Sequence, residues 1–246
     1  FGVIRTPTSK IPEGMTRVLV LSDPTLGMGS LAAPECDRLV AALDLAERLR
    51  VPLEWIPVSS GARIAMASGT ENLDATARVV KRIVEFTQAQ GVIHVIVQGV
   101  NVGAQSYFDA LATMLPHTRG VLIMTPRGSM VLTGRAALAA SGAVSAEDET
   151  AIGGFERIMG PNGEAQYFAN DLTGAYRVLY EHYRFSYVVP GEPGPRPFAT
   201  SDPSERSICD SPCRGDEAAF ATVGEIFDDA RNPGRKRAFP MRAVME

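Results

Sequence analysis

Ser60-Gly61-Ala62-Arg63-Ile64 forms a glycine-containing turn, and a second glycine turn follows at Gly99–Ala104. These two turns are the most informative part of the sequence for predicting the fold. The first turn follows an apolar strand predicted at 53–58, and the second follows one predicted at 92–97. A helical pattern comes after each turn, and the first backbone N–H groups of a helix lack an intrahelical partner. Such groups can hold an anion. The spacing alone favours plain strand-to-helix turns, because such turns are common.

The segments around these turns alternate between strand and helix. Further strands are predicted at 17–22, 121–124 and 129–132, and helices at 34–50, 72–88, 106–115, 171–183 and 216–231. The connections are long enough for crossovers, which predicts an α/β fold with mainly parallel strands. We expect an arm leading into the fold at 1–16, a core at 17–187, and a Pro-rich segment with a C-terminal helix at 188–246.

The composition is that of an ordinary globular protein. The chain has 246 residues, of which 45% are hydrophobic and 21% charged, with a formal net charge of −4. No nucleic-acid partner is therefore expected. No run of 18 apolar residues occurs, so no membrane partner is expected. The spacing of Cys36, Cys209 and Cys213 does not suit a zinc site, so we expect no metal and free thiols in a reducing cytoplasm.

Side chains suited to acid–base or nucleophilic chemistry are few. The sequence contains no metalloprotease, phosphate-loop or serine-hydrolase motif. His94 lies in an apolar strand and is expected in the core, while Glu147-Asp148-Glu149 is expected at the surface. Arg63, in the first turn, has two interpretations: it contacts a phosphate of a ligand, or it pairs with a carboxylate of the chain.

Other motifs occur in the order and spacing of a known family. They are Asp23-Pro24-Thr25 with Gly27 and Gly29, Ala42–Glu47, Val51–Leu53, Ser60–Ile64, Gly103-Ala104, Met130–Gly134, Ser145–Asp148, Ile152–Gly154, Met159–Gly163, Val223–Phe227 and Asn232–Lys236. Over about residues 15–245 the chain resembles the N-terminal half of the carboxyltransferase of biotin-dependent acetyl- and propionyl-CoA carboxylases.

This resemblance implies a crotonase-like (ClpP/crotonase) fold of stacked βα units. The implied reaction moves the carboxyl group of carboxybiotin to the α-carbon of acetyl-CoA, propionyl-CoA or another acyl-CoA. In the family the N-terminal half binds acyl-CoA and a second half binds biotin, so we expect this chain to be one part of a longer arrangement. The biotin is carried on another domain or subunit, with no metal in this chain. The implied partners are the biotin carboxyl carrier, the biotin carboxylase, the C-terminal carboxyltransferase half and further copies in a homo-oligomer. The implied setting is cytoplasmic fatty acid biosynthesis.

The resemblance also assigns residues to the two turns. Four positions are expected to be catalytic by holding an enolate oxygen through backbone N–H groups: Gly61, Ala62, Gly103 and Ala104. Four others are expected to bind substrate: Ser60, Arg63, Asn101 and Tyr107. Ser60 and Ala104 stand where the family usually has glycine.

Two alternatives remain open from the sequence. A stand-alone crotonase-type hydratase or isomerase would need a pair of glutamates over the α- and β-carbons of the acyl group. A non-catalytic acyl-CoA-binding or assembly module would keep the fold without the chemistry.

Overall fold

A computed structural model describes residues 1–64, 71–141, 149–197, 199, 201, 203, 205–215 and 218–245. The chain divides into two compact units, Phe1–Arg196 and Pro197–Glu246. The motif Ser145–Asp148 lies outside the described residues. None of the described helices combines the length and the apolar character that a membrane span requires.

The strands of the first unit form two sheets. They are β1 (Gly2–Thr6), β2 (Met15–Leu21), β3 (Leu53–Ile56), β4 (Ile93–Val97), β5 (Val100–Val102), β6 (Leu122–Met124), β7 (Ser129–Val131) and β8 (Tyr167–Phe168). The larger sheet has the order β1-β2-β3-β4-β6-β8, and only its β1–β2 pair is antiparallel. Strands β5 and β7 form a small parallel sheet. The predicted α/β class with mainly parallel strands is confirmed, and part of the segment expected as an arm forms the edge strand β1.

Helices cover both faces of the larger sheet. In the first unit they are α1 (Ala33–Leu49), α2 (Glu71–Gln88), α3 (Ala104–Thr113), α4 (Arg135–Ala140), α5 (Glu149–Gly153) and α6 (Leu172–Ser186), with a π-helical turn at Phe155–Met159. One apolar core joins the sheet to α1, α2 and α3, and a second joins it to α6. Because both faces are covered, every residue of β3 and β4 is buried.

A buried ion pair ties the sheet to α6. Arg17 of β2 and Glu54 of β3 are each 1% exposed, and their side chains meet at 2.7 Å. The Tyr183 and Tyr176 hydroxyls donate to the Glu54 carboxylate at 3.0 and 3.2 Å. Arg17 also donates to the hydroxyl of Tyr180. This network satisfies both charges, and it explains why a strand that is otherwise apolar contains a glutamate.

The second unit contains the short helices α7 (Val223–Phe227) and α8 (Arg242–Met245). The prediction of one helix over 216–231 is wrong, because α7 occupies only five of its residues. Thr222 instead pairs with Pro212 as an isolated antiparallel bridge, with hydrogen bonds from Cys213 N–H to Ala221 O and from Val223 N–H to Ser211 O. These bonds hold the backbone before α7 in an extended form.

Candidate functional site

The parallel register brings the carboxyl ends of β2, β3 and β4 to one edge of the larger sheet. The segments that follow these strands continue to pair with one another. Ser59 bridges Asn101, and Leu31 bridges Ala62, both in parallel. This additional pairing places the two glycine turns side by side.

The first turn directs one N–H group away from its neighbours. Leu31 N–H donates to Gly61 O at 2.8 Å, and Arg63 N–H donates to Leu31 O at 2.7 Å. In this parallel bridge the N–H of the middle residue, Ala62, points to the opposite side, and it has no partner among the described residues. The N–H of Gly61 donates to Ser59 Oγ at 3.1 Å.

The second turn leads into α3, and its unbonded N–H group lies at the start of that helix. Gly103 precedes α3 with φ +55° and ψ −117°, and its N–H donates to Val131 O at 2.8 Å. Ala104 is the first helical residue, so its N–H has no intrahelical acceptor. The Ala104 side chain packs against the apolar core, so a Cβ fits at this position, where the family usually has glycine.

The two turns lie in close contact. Gly61 has φ +91°, and a Cβ built on it would lie 2.9 Å from the carbonyl oxygen of Val102. Glycine is therefore required at Gly61 both by its backbone conformation and by the approach of β5. Of the four residues expected to be catalytic, Gly61 and Gly103 have N–H groups that are already bonded within the protein. The N–H groups of Ala62 and Ala104 have no such partner among the described residues.

A cavity of about 230 Å³ adjoins the turns. Its lining comes from Phe1, the end of β2, Trp55 of β3, the segment before α1, the start of α1, Arg63 of the first turn and Gln105 of α3. The lining residues are Phe1, Val20, Leu21, Ser22, Asp23, Leu26, Gly29, Ser30, Leu31, Glu35, Arg38, Leu39, Trp55, Arg63 and Gln105. The guanidinium groups of Arg38 and Arg63 and the carboxylates of Asp23 and Glu35 therefore border a space that is partly apolar. Arg63 Nε donates to Ser30 Oγ at 3.3 Å and forms no ion pair with any described residue.

A larger cavity of about 510 Å³ lies at the opposite, amino end of β3 and β4. The C-terminal ends of α1 and α2 border it, and helix C-termini carry partial negative charge. That polarity is wrong for an oxyanion, and neither glycine turn lines this cavity. We therefore place the candidate site in the smaller cavity.

Both carboxylates that line the smaller cavity are held by nearby groups. Asp23 accepts hydrogen bonds from the N–H and hydroxyl of Thr25, which lower the pKa of its carboxyl group. Glu35 accepts from Ala32 N–H at 3.0 Å at the start of α1. None of the described residues that line the cavity is a histidine. His94 is buried in β4, where its Nδ1 accepts from Val121 N–H and desolvation lowers its pKa to about 3.

The residues expected to bind substrate are placed differently from one another. Arg63 reaches the cavity, and Ser60 lies in the first turn, where its N–H donates to Met28 O at 3.0 Å. Tyr107 is 54% exposed on α3. Asn101 is fully buried, and its side-chain amide donates to Asp109. Its side chain is thus engaged inside the protein.

Sequence reasoning missed two residues next to the site, Gln105 and Asp109. Gln105 lines the cavity and donates to Asp109 Oδ1 at 2.8 Å. Burial raises the pKa of the Asp109 carboxyl group to about 7, with a contribution from the nearby carboxylate of Glu164. The sequence signal for this contact was the four-residue spacing of Gln105 and Asp109, which places them on one face of α3. That spacing is common on helices, so it did not single out this pair.

The stability of the chain should depend on the titration of Asp109. A raised pKa in the folded state means that protonated Asp109 favours folding at low pH, and that this contribution is lost as the pH rises through about 7. The free energy of unfolding of the wild type should therefore fall, relative to that of Asp109→Asn, between about pH 4 and about pH 7. Urea unfolding of both chains across this range measures the difference. Glu164 is present in both chains, so the effect of its own desolvation cancels. A constant difference across this pH range would contradict the prediction.

Comparisons with known proteins agree with this architecture. Residues 11–217 match the family model of the carboxyl transferase domain. The structure of transcarboxylase 12S with hydrolysed methylmalonyl-coenzyme A superposes with a TM-score of 0.61 at 21% identity, covering 71% of this chain and 32% of that one. For the β subunit of P. aeruginosa geranyl-CoA carboxylase the TM-score is 0.56 at 16% identity, covering 69% and 30%. No curated protein matches the chain significantly.

A third similar structure is closer to this chain in size. It is the MdcD–MdcE heterodimer of Pseudomonas malonate decarboxylase, with a TM-score of 0.56 at 20% identity, covering 70% of this chain and 72% of that one. The chain thus spans about a third of the transcarboxylase and geranyl-CoA carboxylase chains. The predicted crotonase-like fold is confirmed by these neighbours. The match over residues 11–217 shows that the chain belongs to the carboxyl transferase domain family.

Proposed function

We propose that this chain is the acyl-CoA-binding half of a biotin-dependent acyl-CoA carboxyltransferase. The N–H groups of Ala62 and Ala104 would hold the thioester oxygen while it carries the charge of an enolate. The observation that carries this proposal is that two adjoining turns each contain an N–H group without a partner among the described residues. The residues that follow these two groups, Arg63 and Gln105, line one cavity. Preorganised donors of this kind stabilise a developing oxyanion. Gly61 and Gly103 would supply the backbone conformations that aim them.

The lining of the cavity suits a coenzyme A thioester. Arg38 and Arg63 offer guanidinium groups to phosphate oxygens, and guanidinium recognises phosphate through charge-assisted hydrogen bonds. The apolar part of the lining, which includes Trp55, suits an uncharged acyl or pantetheine segment. Acetyl-CoA and propionyl-CoA are the proposed substrates.

Among the described residues, the lining contains no free acid–base side chain, which fits a reaction whose base comes from elsewhere. Carboxybiotin on a partner domain or subunit would supply the carboxyl group as CO₂ and a nitrogen that takes the α-proton. The residues of this chain would bind the thioester, orient its α-carbon and stabilise the oxygen. The C–H electron pair of the α-carbon becomes the enolate, which forms the new C–C bond with CO₂. The local engagement of Asp23 and Glu35 disfavours the hydratase or isomerase alternative.

An apolar face next to the site supports a partner half. Large apolar side chains that flank the two turns are exposed: Leu26, Met28, Ile64, Tyr107 and Leu132. We propose that the C-terminal carboxyltransferase half covers this face and brings biotin to the enolate. The similar heterodimer shows that related folds also occur as separate subunits, and the transcarboxylase structure is described as a hexamer assembly.

The wider assignments belong to the same proposal. The partners would include a biotin carboxyl carrier, a biotin carboxylase and further copies of this chain, and the setting would be cytoplasmic fatty acid biosynthesis. The functional division would be an arm at 1–16, the acyl-CoA-binding core at 17–187 and a connecting segment at 188–246.

The chain alone is expected to bind acyl-CoA weakly, because both turns and the cavity lie within its first unit. Calorimetry with acetyl- or propionyl-CoA should give a dissociation constant of about 1 mM. In a parallel experiment with [1-¹³C]acyl-CoA, the carbonyl resonance should move downfield on binding, since two N–H donors polarise the C=O bond. Binding without this displacement would favour the non-catalytic module. No binding to a folded chain would contradict the proposal.

Carboxyl transfer provides the second arm of the same experiment. Malonyl- or methylmalonyl-CoA should form from supplied carboxybiotin when the C-terminal half is added, since holding both reactants together provides the proximity that the reaction needs. A comparable rate from the chain alone would show that this chain contains the complete site.

A further inference from the structure

The turn at Gly103 and Ala104 is flanked by two side-chain amides that meet on one carboxylate. Asn101 precedes the turn, and its Nδ2 donates to Asp109 Oδ2 at 2.7 Å. Gln105 follows the turn, and its Nε2 donates to Asp109 Oδ1 at 2.8 Å. Asn101 and Asp109 are 0% exposed and Gln105 is 1% exposed. One carboxylate inside the protein therefore joins the two sides of the turn.

The turn needs such support because Gly103 cannot provide it. As the residue before α3, Gly103 has no side chain to cap the helix, and its positive φ is one of many conformations open to glycine. Ser106 adds to the support through a hydroxyl group that lies 2.8 Å from Asn101 O and 3.1 Å from Val131 O. The side chains around the turn thus fix a backbone that its own sequence leaves free.

Burying a carboxylate at this place is unfavourable for folding. No cation pairs with Asp109 among the described residues, and the charge is compensated by the two amides alone. A buried charge without a counter-ion destabilises a fold unless hydrogen bonds offset it. An apolar residue on α3 would serve the core better, so the carboxylate points to a role beyond packing.

We propose that Asp109 is a positioning residue of the thioester site, which clamps Asn101 and Gln105 so that the N–H of Ala104 keeps its direction. Its role in catalysis rests on the proposed function, whereas the clamp itself rests on the hydrogen bonds alone. Asn101 accordingly acts through the turn, although the resemblance assigned it to substrate binding. Gln105 has a second role, because it also lines the cavity.

The free oxygens of the two amides distinguish the variants of Asp109. Asn101 Oδ1 and Gln105 Oε1 have no hydrogen-bond partner among the described residues. In Asp109→Asn, one of these amides can rotate so that its oxygen accepts from the new NH₂ group, and both links survive. In Asp109→Leu, which has similar size, neither link can form. The clamp therefore predicts that asparagine preserves the turn and leucine does not.

Hydrogen exchange tests the clamp without any ligand. The N–H groups of Val102 and Gly103 are bonded to Ser59 O and Val131 O, so their exchange reports opening of the turn. In Asp109→Leu both should exchange about ten- to a hundredfold faster than in the wild type, because two hydrogen bonds to a buried charge are lost. Asp109→Asn should remain within about threefold of the wild type.

Thr113→Val provides the matched control. Thr113 lies one turn further along α3, is also buried, and bonds through its hydroxyl to Asp109 O rather than to the carboxylate. In Thr113→Val, the N–H groups of Val102 and Gly103 should exchange at the wild-type rate. Equal exchange in Asp109→Leu and Thr113→Val, or equal acceleration in Asp109→Asn and Asp109→Leu, would overturn the clamp.

The carbonyl resonance of bound [1-¹³C]acetyl-CoA tests the link to the site. With each chain saturated by acetyl-CoA, the downfield displacement expected for the wild type should persist in Asp109→Asn and be lost in Asp109→Leu, because only leucine releases the N–H of Ala104 from its direction. If the wild type shows no displacement while exchange follows the clamp, the proposed function fails and the clamp stands. A displacement that survives in Asp109→Leu would overturn the positioning role.

Discussion

Replacing Gly103 with valine is expected to lower the turnover of the chain, assembled with its C-terminal half, by about 10²–10³-fold. A Cβ at Gly103 would meet only Leu132 O, at 3.5 Å, so space does not oppose the substitution. The substitution is unfavourable because Gly103 has φ +55°, a backbone conformation that a β-branched residue does not adopt readily. The turn would rearrange, and the N–H of Ala104 would no longer point at the thioester oxygen.

The control for this substitution must impose the same strain elsewhere. Gly191 has φ +97° with no atom within 4 Å of a built Cβ, and it lies outside both turns, so Gly191→Val is suitable. Gly91 is unsuitable, because a Cβ there would lie 2.4 Å from the ring of Phe86. Thermal unfolding should show a similar loss of stability for Gly103→Val and Gly191→Val, with turnover lost only in the former. Equal turnover of the two variants would show that Gly103 is merely structural.

Replacing Arg17 with methionine should destabilise the chain by about 3–5 kcal/mol. The substitution leaves Glu54 buried and ionisable beneath α6 without its cation, although the hydroxyls of Tyr176 and Tyr183 remain. Chemical unfolding followed by circular dichroism measures the loss.

The exposed ion pair between Arg78 and Asp37 provides the comparison. Its side chains are 58% and 61% exposed, so Arg78→Met should change the free energy of unfolding by at most about 1 kcal/mol. A double variant, Arg17→Met with Glu54→Met, should recover part of the stability lost by Arg17→Met, since it removes the unpaired charge. If Arg17→Met is as stable as Arg78→Met, the buried pair does not support the fold.

Regular periodicity made most elements of the first unit predictable. The predicted helix at 72–88 and the strand at 92–97 each agree with α2 and β4 within one residue. Their apolar patterns were long or dense enough to outweigh local exceptions such as His94. The prediction of a helix over 216–231 was wrong because the backbone at Thr222 pairs with Pro212 and is therefore extended. Such pairing depends on a partner elsewhere in the chain, which a local pattern does not contain.

The candidate site also combines features that the sequence predicts with features that only the structure shows. Gly61 and Gly103 were identified from the sequence because glycine at a strand-to-helix turn marks a backbone that other residues avoid. The N–H groups of Gly61 and Gly103 are already bonded, to Ser59 Oγ and Val131 O. Those of Ala62 and Ala104 therefore remain. Neither bond follows from the spacing of the motif.

The sequence by itself determined the α/β class, the order of the main strands and helices, and the two turns, because these follow from local periodicity and from the conformational freedom of glycine. The tertiary structure determined which N–H groups of the two turns remain without a partner among the described residues, and it placed Asp109 between Asn101 and Gln105. It also decided that Arg17 and Glu54, 37 residues apart, meet beneath α6. These features depend on strand register and on burial, and both are fixed when distant segments pack together and exclude water.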